Sequence, residues 1–298
     1  MPQDFAAPLP DWAALAVTGE DATAFLHGQL TNDVQALDAG AAQWNGWCSP
    51  KGRLLATFLL VRRADGYLVL LPRDIAPAIA KRLGMYVLRS KVKIRDATAE
   101  HAIFGVGGEA ALRSTGAPAK AMTSVESNGR LAIALDTRRA FVVATAGDRI
   151  EGVATGTADD WRRELILAGI PVITAATQDA FVPQMANFEL VGGVSFRKGC
   201  YPGQEIVART QYRGILKRRM ALAHVEGDSR PAPGQSAYSP LFGDQAAGTV
   251  VDAAPAPDGG FDLLVVAQLE SLEDGRLHLG SLQGPALRIV SHPAAQAA

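Results

Sequence analysis

After Arg219 the chain breaks into six short apolar runs, and this feature limits the fold more than any other. The runs are "MALAHVEG", "GQSAYSP", "AGTVVDAA", "FDLLVVAQLE", "LHLG" and "ALRIV", separated by turns such as "RPAPG" and "APAPDGG". Pro, Gly and Asp punctuate them, and no segment of helical length and period intervenes. Short strands at that spacing predict a small antiparallel β-barrel or sandwich of roughly eighty residues. It is placed at residues 216–298.

The preceding 215 residues mix two periodicities. "LAVTG" predicts a strand. Thr18 to Asp21 predicts a helix start, with Phe25, Leu26 and Leu30 as its apolar stripe. "RLLATFLLVRR" and "GYLVLLP" predict a strand pair around the turn "ADG". "DIAPAIAKRLGMYVLRS" reads as one helix, and "KVKIRDAT" as the strand after it. Strand pairs interleaved with helices, without regular βαβ alternation, predict an α+β fold.

A chain of 298 residues is long enough for about two domains, and 48% apolar with 20% charged residues is ordinary for a soluble globular protein. No apolar run approaches the ~20 residues of a membrane-spanning helix. The start "MPQDFAAPLPDW" has neither the basic nor the apolar region of a signal peptide. Two cysteines, Cys48 and Cys200, exclude a disulfide scaffold and point to a reducing cytoplasm. A net charge of −1 argues against a nucleic-acid backbone as main partner. Neither direct nucleic-acid binding nor a membrane is expected. Arg209, Arg213, Lys217, Arg218 and Arg219 form a local basic cluster, which reads as a solvated face.

The five histidines are scattered, and two thiolates cannot supply the four of a conventional iron–sulfur cluster. This chain alone is therefore expected to hold no metal. In "HAIFGVGGEAAL", Gly105-x-Gly107-x-x-Ala110 lies between a strand and a helix, but the α+β surroundings argue against a dinucleotide site.

"KGCYPGQEIVARTQYRG" carries more chemistry. Pro202 suits the first position of a helix running through "GQEIVART", with Glu205 in its first turn. Cys200 then precedes a helix N-terminus and neighbours Lys198, and both favour a thiolate. Gly199 and Gly203 let backbone approach closely. The bland alternative is that Cys200 is a small buried hydrophobe. Likewise, Trp12, Trp44, Trp47 and Trp161 are core anchors unless a flat ligand uses their faces.

Together, "TGEDATAFLHGQLTNDV", "CSPKGRLLATFLL", "LGMYVLRSKVKI", "AGIPVI", "VPQMANFELVGGVSF" and "KGCYPGQEIVARTQYRG" resemble the YgfZ/GcvT family of folate-binding proteins, over nearly the whole chain. The last stretch is similar to the family's K-G-C-Y-x-G-Q-E signature. The resemblance implies two interlocked ferredoxin-like subdomains of the GcvT-like type, with a C-terminal β-barrel closing a ring around a central hole. It implies bound tetrahydrofolate and a role in making or repairing iron–sulfur enzymes, including enzymes that modify tRNA. Client iron–sulfur proteins or assembly factors would be the partners.

By the same resemblance, Lys198 and Cys200 form a functional pair. Gly199, Tyr201, Gly203, Gln204, Glu205 and Arg209 complete the signature loop, and Trp12 and Trp161 match tryptophans that contact folate. Some positions depart from the family's aminomethyltransferases. Ala56 and Thr57 stand where those enzymes carry an acidic pair, and Leu165 stands at an arginine position. Leu167-Ala168-Gly169 lacks the polar or acidic residue often found before that turn. The missing carboxylates favour an accessory factor over a folate-dependent methyl or formaldehyde transferase using Cys200. A third reading is an interaction scaffold that binds no small molecule.

Overall fold

The computed structural model describes residues 3–213 and 216–293, save the side chain of Arg213. The chain folds as two compact units. The first comprises Met1–Trp47, Ala56–Trp161 and Gly193–Pro202; the second comprises Cys48–Leu55, Arg162–Gly192 and Gly203–Ala298. The expected boundary between Ile215 and Leu216 falls at Gly214 and Ile215, which lie outside the described residues.

Up to residue 167 the elements are β1 (Phe5–Pro8), β2 (Trp12–Thr18), α1 (Ala22–Gln29), β3 (Ala42–Cys48), β4 (Leu54–Arg63), β5 (Gly66–Pro72), α2 (Ala76–Gly84), β6 (Lys93–Asp96), β7 (His101–Gly107), α3 (Glu109–Ser114), β8 (Thr123–Ser127), β9 (Arg130–Ala134), β10 (Arg139–Thr145), β11 (Ala154–Thr155) and α4 (Ala158–Leu167). They build two sheets, ordered β3-β4-β5-β2-β6 and β11-β1-β7-β10-β9-β8. The β4–β5 hairpin closes with Arg63 opposite Gly66, where the sequence places a turn. Phe25 and Leu26 of α1 are buried, and Leu30 follows as its buried C-cap.

One helix is shorter than expected. α2 buries Ala76, Ile79 and Leu83 and stops at Gly84 instead of running to Ser90. Beyond Gly84 the apolar residues Met85, Tyr86 and Leu88 are exposed, so a further turn would have no face to bury. Leu88 also takes a left-handed φ of 46°, which ends helical geometry.

The glycines of "FGVGG" serve packing. A Cβ on Gly105 would lie 2.1 Å from the Trp161 indole, and one on Gly107 2.4 Å from the Phe5 ring. β7 is antiparallel to both β1 and β10, so no parallel crossover surrounds this turn. The N–H groups of Ala110 and Ala111, at the start of α3, donate to the Asp4 carboxylate. A dinucleotide phosphate has no place there.

In the second unit, α5 (Gln204–Arg213) precedes β12 (Arg218–Val225), β13 (Ser236–Tyr238), β14 (Ala246–Pro255), β15 (Phe261–Gln268), α6 (Leu269–Asp274), β16 (Leu277–Leu279) and β17 (Ala286–Ser291). The six strands close into a barrel in the order β12-β15-β14-β13-β16-β17. They correspond to the six apolar runs; the short α6 and a 3-10 turn at Pro240–Phe242 were not foreseen. Alternating small and branched residues, among them Ala221, Ala223, Leu263, Val265 and Ala267, fill one continuous core. Closure leaves no strand edge open to pairing with another chain. The fold is thus α+β with a closed antiparallel barrel near the C-terminus. Among the described residues no helix is long and apolar enough to cross a membrane.

Candidate functional site

The segment 193–202 is seated on the residues that end α1. Thr31 Oγ1 donates to the Gly193 carbonyl at 2.6 Å and accepts from the Gly46 N–H at 2.8 Å. The Thr31 carbonyl accepts from the Ser195 N–H at 3.0 Å. The end of a helix leaves carbonyls without partners and carries partial negative charge. Lys198 answers both needs: its Nζ donates to the His27 carbonyl and, at 2.6 Å, to the Leu30 carbonyl. The Tyr201 ring lies over the same ammonium, with its centroid 4.8 Å away.

Lys198 is only 7% exposed, and burial pushes its pKa down to about 8, while Asp33 and Cys200 pull it upward. Burial foremost, with the Lys198 charge second, also holds the neighbouring His27 below its usual value against Asp33, whose carboxylate oxygen is 3.2 Å from Nδ1. Lys198, expected to pair functionally with Cys200, thus forms a cationic cap on α1, and its amine is buried. Between about pH 8 and the ordinary value of 10.5, the unfolded chain holds a proton at Lys198 that the folded chain has lost. Stability supplied through this residue thus rises with pH across that window. Denaturant melts of wild type and Lys198→Met should diverge between pH 7.5 and 9.5, the wild type gaining. Parallel curves would show that Lys198 titrates normally.

Cys200 contrasts with its neighbours. It is exposed, as is Gly199, while Lys198 and Tyr201 on either side are buried. Cys48 is buried, and burial, with Asp179 adding to it, drives that thiol up to about 12. Of the two cysteines, only Cys200 is available for chemistry at neutral pH.

The helix after the signature starts later than expected. Pro202 and Gly203 form a turn, and α5 begins at Gln204. In the second unit, Gly203 has φ +80°, and a Cβ there would sit 2.4 Å from the Ser49 carbonyl oxygen and 2.6 Å from Gly52 Cα. Gly52 also has a positive φ, +69°, and its own Cβ would meet Ile206 at 2.8 Å. The stretches "CSPKG" and "PGQEI" thus meet glycine against glycine. Ser49 Oγ braces the contact by donating to Asp179 at 2.7 Å. Gly199 differs: a Cβ there would find only His27 Nε2, at 3.8 Å.

Glu205 and Arg209 are exposed on α5, and Gln204 is half-buried. The expected basic cluster does not form one face. Lys217 is exposed, but Arg219 is buried, donating to Gln184 O at 3.0 Å and to the Glu189 carboxylate. Burial raises the Glu189 pKa despite that partner. The side chain of Arg213 and all of Gly214 lie outside the described residues.

Trp12 and Trp161 both pack on Phe141, with ring centroids 4.8 and 4.9 Å away. Trp161, expected to flank a ligand, is fully buried and packs against Gly105 and Phe141. Trp12 is different. It lines a cavity of about 650 Å³ in the first unit, with Leu9 and Phe104 as apolar walls and Arg73, His101 and Arg149 as polar ones. That volume falls within the ~300–1,000 Å³ of small-molecule sites. Sequence reasoning missed these three polar residues because they come from separate segments without a shared motif. It quoted Thr31 and Asp33 only as part of a longer stretch, and weighed His27 only as one of the scattered histidines.

No family model matches the chain. Individual relatives do. It is 33% identical over 290 residues to the tRNA-modifying protein YgfZ of Edwardsiella ictaluri, covering 91% of this chain and 86% of that protein. It is 31% identical over 301 residues to the protein of the same name from Sodalis glossinidius, covering 96% and 91%. The chain belongs to the YgfZ family. Its fold is also that of the glycine cleavage system aminomethyltransferase T from Bartonella henselae, with a TM-score of 0.74 at 14% identity over 97% of this chain and 85% of that one.

Of the positions expected to depart from the transferases, three are buried, but Leu167 is exposed. Ala56 and Thr57 are buried in β4, and Leu165 is buried in α4. Gly169, with φ +65°, terminates α4, its N–H donating to the Ile166 carbonyl at 2.9 Å. Among the described residues no group of three or more His, Cys, Asp or Glu is placed to hold a metal ion.

Proposed function

We propose that this chain is a tetrahydrofolate-binding accessory protein that supports the synthesis or repair of iron–sulfur enzymes, including those that modify tRNA. The observation that carries the reading is the mounting of Cys200. An exposed thiol stands next to buried Tyr201 and two residues after buried Lys198, which is pinned to the end of a helix. That arrangement presents a soft nucleophile or metal ligand to a partner while keeping its position fixed. The name carried by the curated relatives supports a connection with tRNA modification. Buried Ala56 and Thr57 support an accessory role over transfer chemistry, since neither can exchange a proton with a substrate.

The cavity beside Trp12 fits a folate by its chemistry. Trp12, Leu9 and Phe104 suit a flat heteroaromatic ring, and Arg73 and Arg149 suit the carboxylates of a glutamate tail. When bound, tetrahydrofolate supplies a carrier for one-carbon units; the protein's part is to orient it and shield it from water. Tetrahydrofolate should quench tryptophan fluorescence, and Trp12→Leu should weaken binding at least tenfold, about 1.4 kcal/mol. Trp161→Leu should chiefly lower stability. Equal affinity in a folded Trp12→Leu variant would remove the folate from this cavity. For the cellular role, loss of the chain should lower the modification of tRNA by iron–sulfur enzymes, and wild type should restore it. Undiminished modification would overturn the proposal.

A further inference from the structure

The residues that fail to continue α2 form an unusual surface. Met85, Tyr86 and Leu88 are 63%, 41% and 87% exposed, three large apolar side chains within four consecutive positions. The turn that carries them is ordered by backbone bonds, from Tyr86 N–H to Leu83 O at 3.0 Å and from Ser90 N–H to Val87 O at 2.8 Å. It is also braced from beneath. Buried Trp47 meets the Tyr86 ring edge-on at 6.2 Å, and the Arg82 guanidinium lies 5.5 Å from the Trp47 ring. Leu88 adopts its left-handed φ of 46° at the most exposed point, where burial does not offset the strain.

The surroundings are cationic. Lys81, Arg82, Arg89, Lys91, Lys93 and Arg95 lie between residues 75 and 95, and that interval contains no Asp or Glu. Other elements bring Glu20 to Lys91 at 2.7 Å and Glu100 to Arg95, so part of the charge is matched locally. The chain as a whole carries a net charge of −1, which makes this basic stretch local.

We infer that the loop of residues 84–91 is a docking surface for a partner protein presenting an apolar pocket rimmed by carboxylates. Met, Tyr and Arg are the residue types enriched in protein interfaces, and a few rigid anchors ringed by polar groups dominate binding energy. Charge complementarity selects an acidic rim and speeds encounter. RNA fits less well, because Met85 and Leu88 offer nothing to phosphates or base edges. A bilayer fits less well too, since surface binding uses an extended amphipathic face, whereas these anchors occupy one braced turn. The inference does not depend on which small molecule the chain binds.

The test replaces Leu88 in the full chain with photoreactive benzoylphenylalanine, in cells lacking the native copy. After irradiation the cross-linked species is identified and its site mapped. The expected adduct is with a protein, at an apolar pocket flanked by Asp or Glu. Affinity for that protein, once purified, should fall at least tenfold in Leu88→Ser and in the double variant Arg89→Glu, Lys93→Glu. Leu88→Gly should also bind weakly while melting at or above the wild-type temperature, because glycine relaxes the left-handed backbone. An adduct with tRNA, lipid or a second copy of this chain overturns the inference. So does the absence of any adduct, or undiminished affinity in Leu88→Ser.

Discussion

Replacing Cys200 with alanine should abolish the protein's cellular activity and leave its stability almost untouched. Cys200 is exposed, and its side chain contributes little packing. Exposed substitutions usually change stability by less than about 0.5 kcal/mol, so the melting temperature should move by no more than roughly 2 °C. On the proposed function, loss of at least ~90% of the activity of the iron–sulfur enzymes it would support is expected, because the nucleophilicity and softness of a thiol sulfur have no substitute in alanine. Cys200→Ser separates two roles. A residue that only hydrogen-bonds would tolerate the hydroxyl, whereas a nucleophile or metal ligand would not. A variant that melts well below wild type, or keeps full activity, would end the functional reading of this cysteine. Cys48→Ala gives the contrast. It should cost stability through a packing defect and leave activity per folded molecule unchanged.

The largest effect on stability is expected from Gly203→Ala. The new Cβ would lie 2.4 Å from a backbone carbonyl oxygen and 2.6 Å from a backbone Cα, with φ at +80°. No flexible side chain can yield there, since both contacts are main chain. A left-handed alanine alone costs about 1 kcal/mol or more, and the overlap forces backbone movement. A loss of about 2–4 kcal/mol, or roughly 5–15 °C in melting temperature, should result. Gly199→Ala is the control, for its Cβ would make an ordinary 3.8 Å contact with His27 Nε2. It should melt with the wild type. If the two variants were equally stable, the glycine-on-glycine contact between the Ser49–Gly52 turn and Gly203 would be wrong. Both glycines sit in one signature, yet only one is demanded by the fold.

The basic cluster teaches a similar lesson. Its five residues look alike in the sequence, but Arg219 is drawn into the second unit by Glu189, while Lys217 stays in solvent. Trp12 and Trp161 are also indistinguishable by composition. One lines a cavity, and the other is enclosed against Phe141 and Gly105. Lys198 was legible as a neighbour of Cys200. Its role as a cap on a helix 168 residues away was not.

What the sequence determined by itself was everything governed by local period and chemistry. Six apolar runs bounded by turn residues became the six strands of the barrel, because alternation fixes which side chains face a core. The "ADG" turn became a hairpin. The tertiary structure decided the rest. It ended α2 at Gly84, since apolar residues continue a helix only where another element covers them. It brought Arg73, His101 and Trp12 to one cavity and set Lys198 under two orphaned carbonyls. Those outcomes rest on contacts between distant segments. A carbonyl at a helix end needs a donor, and only the folded chain specifies which residue supplies it.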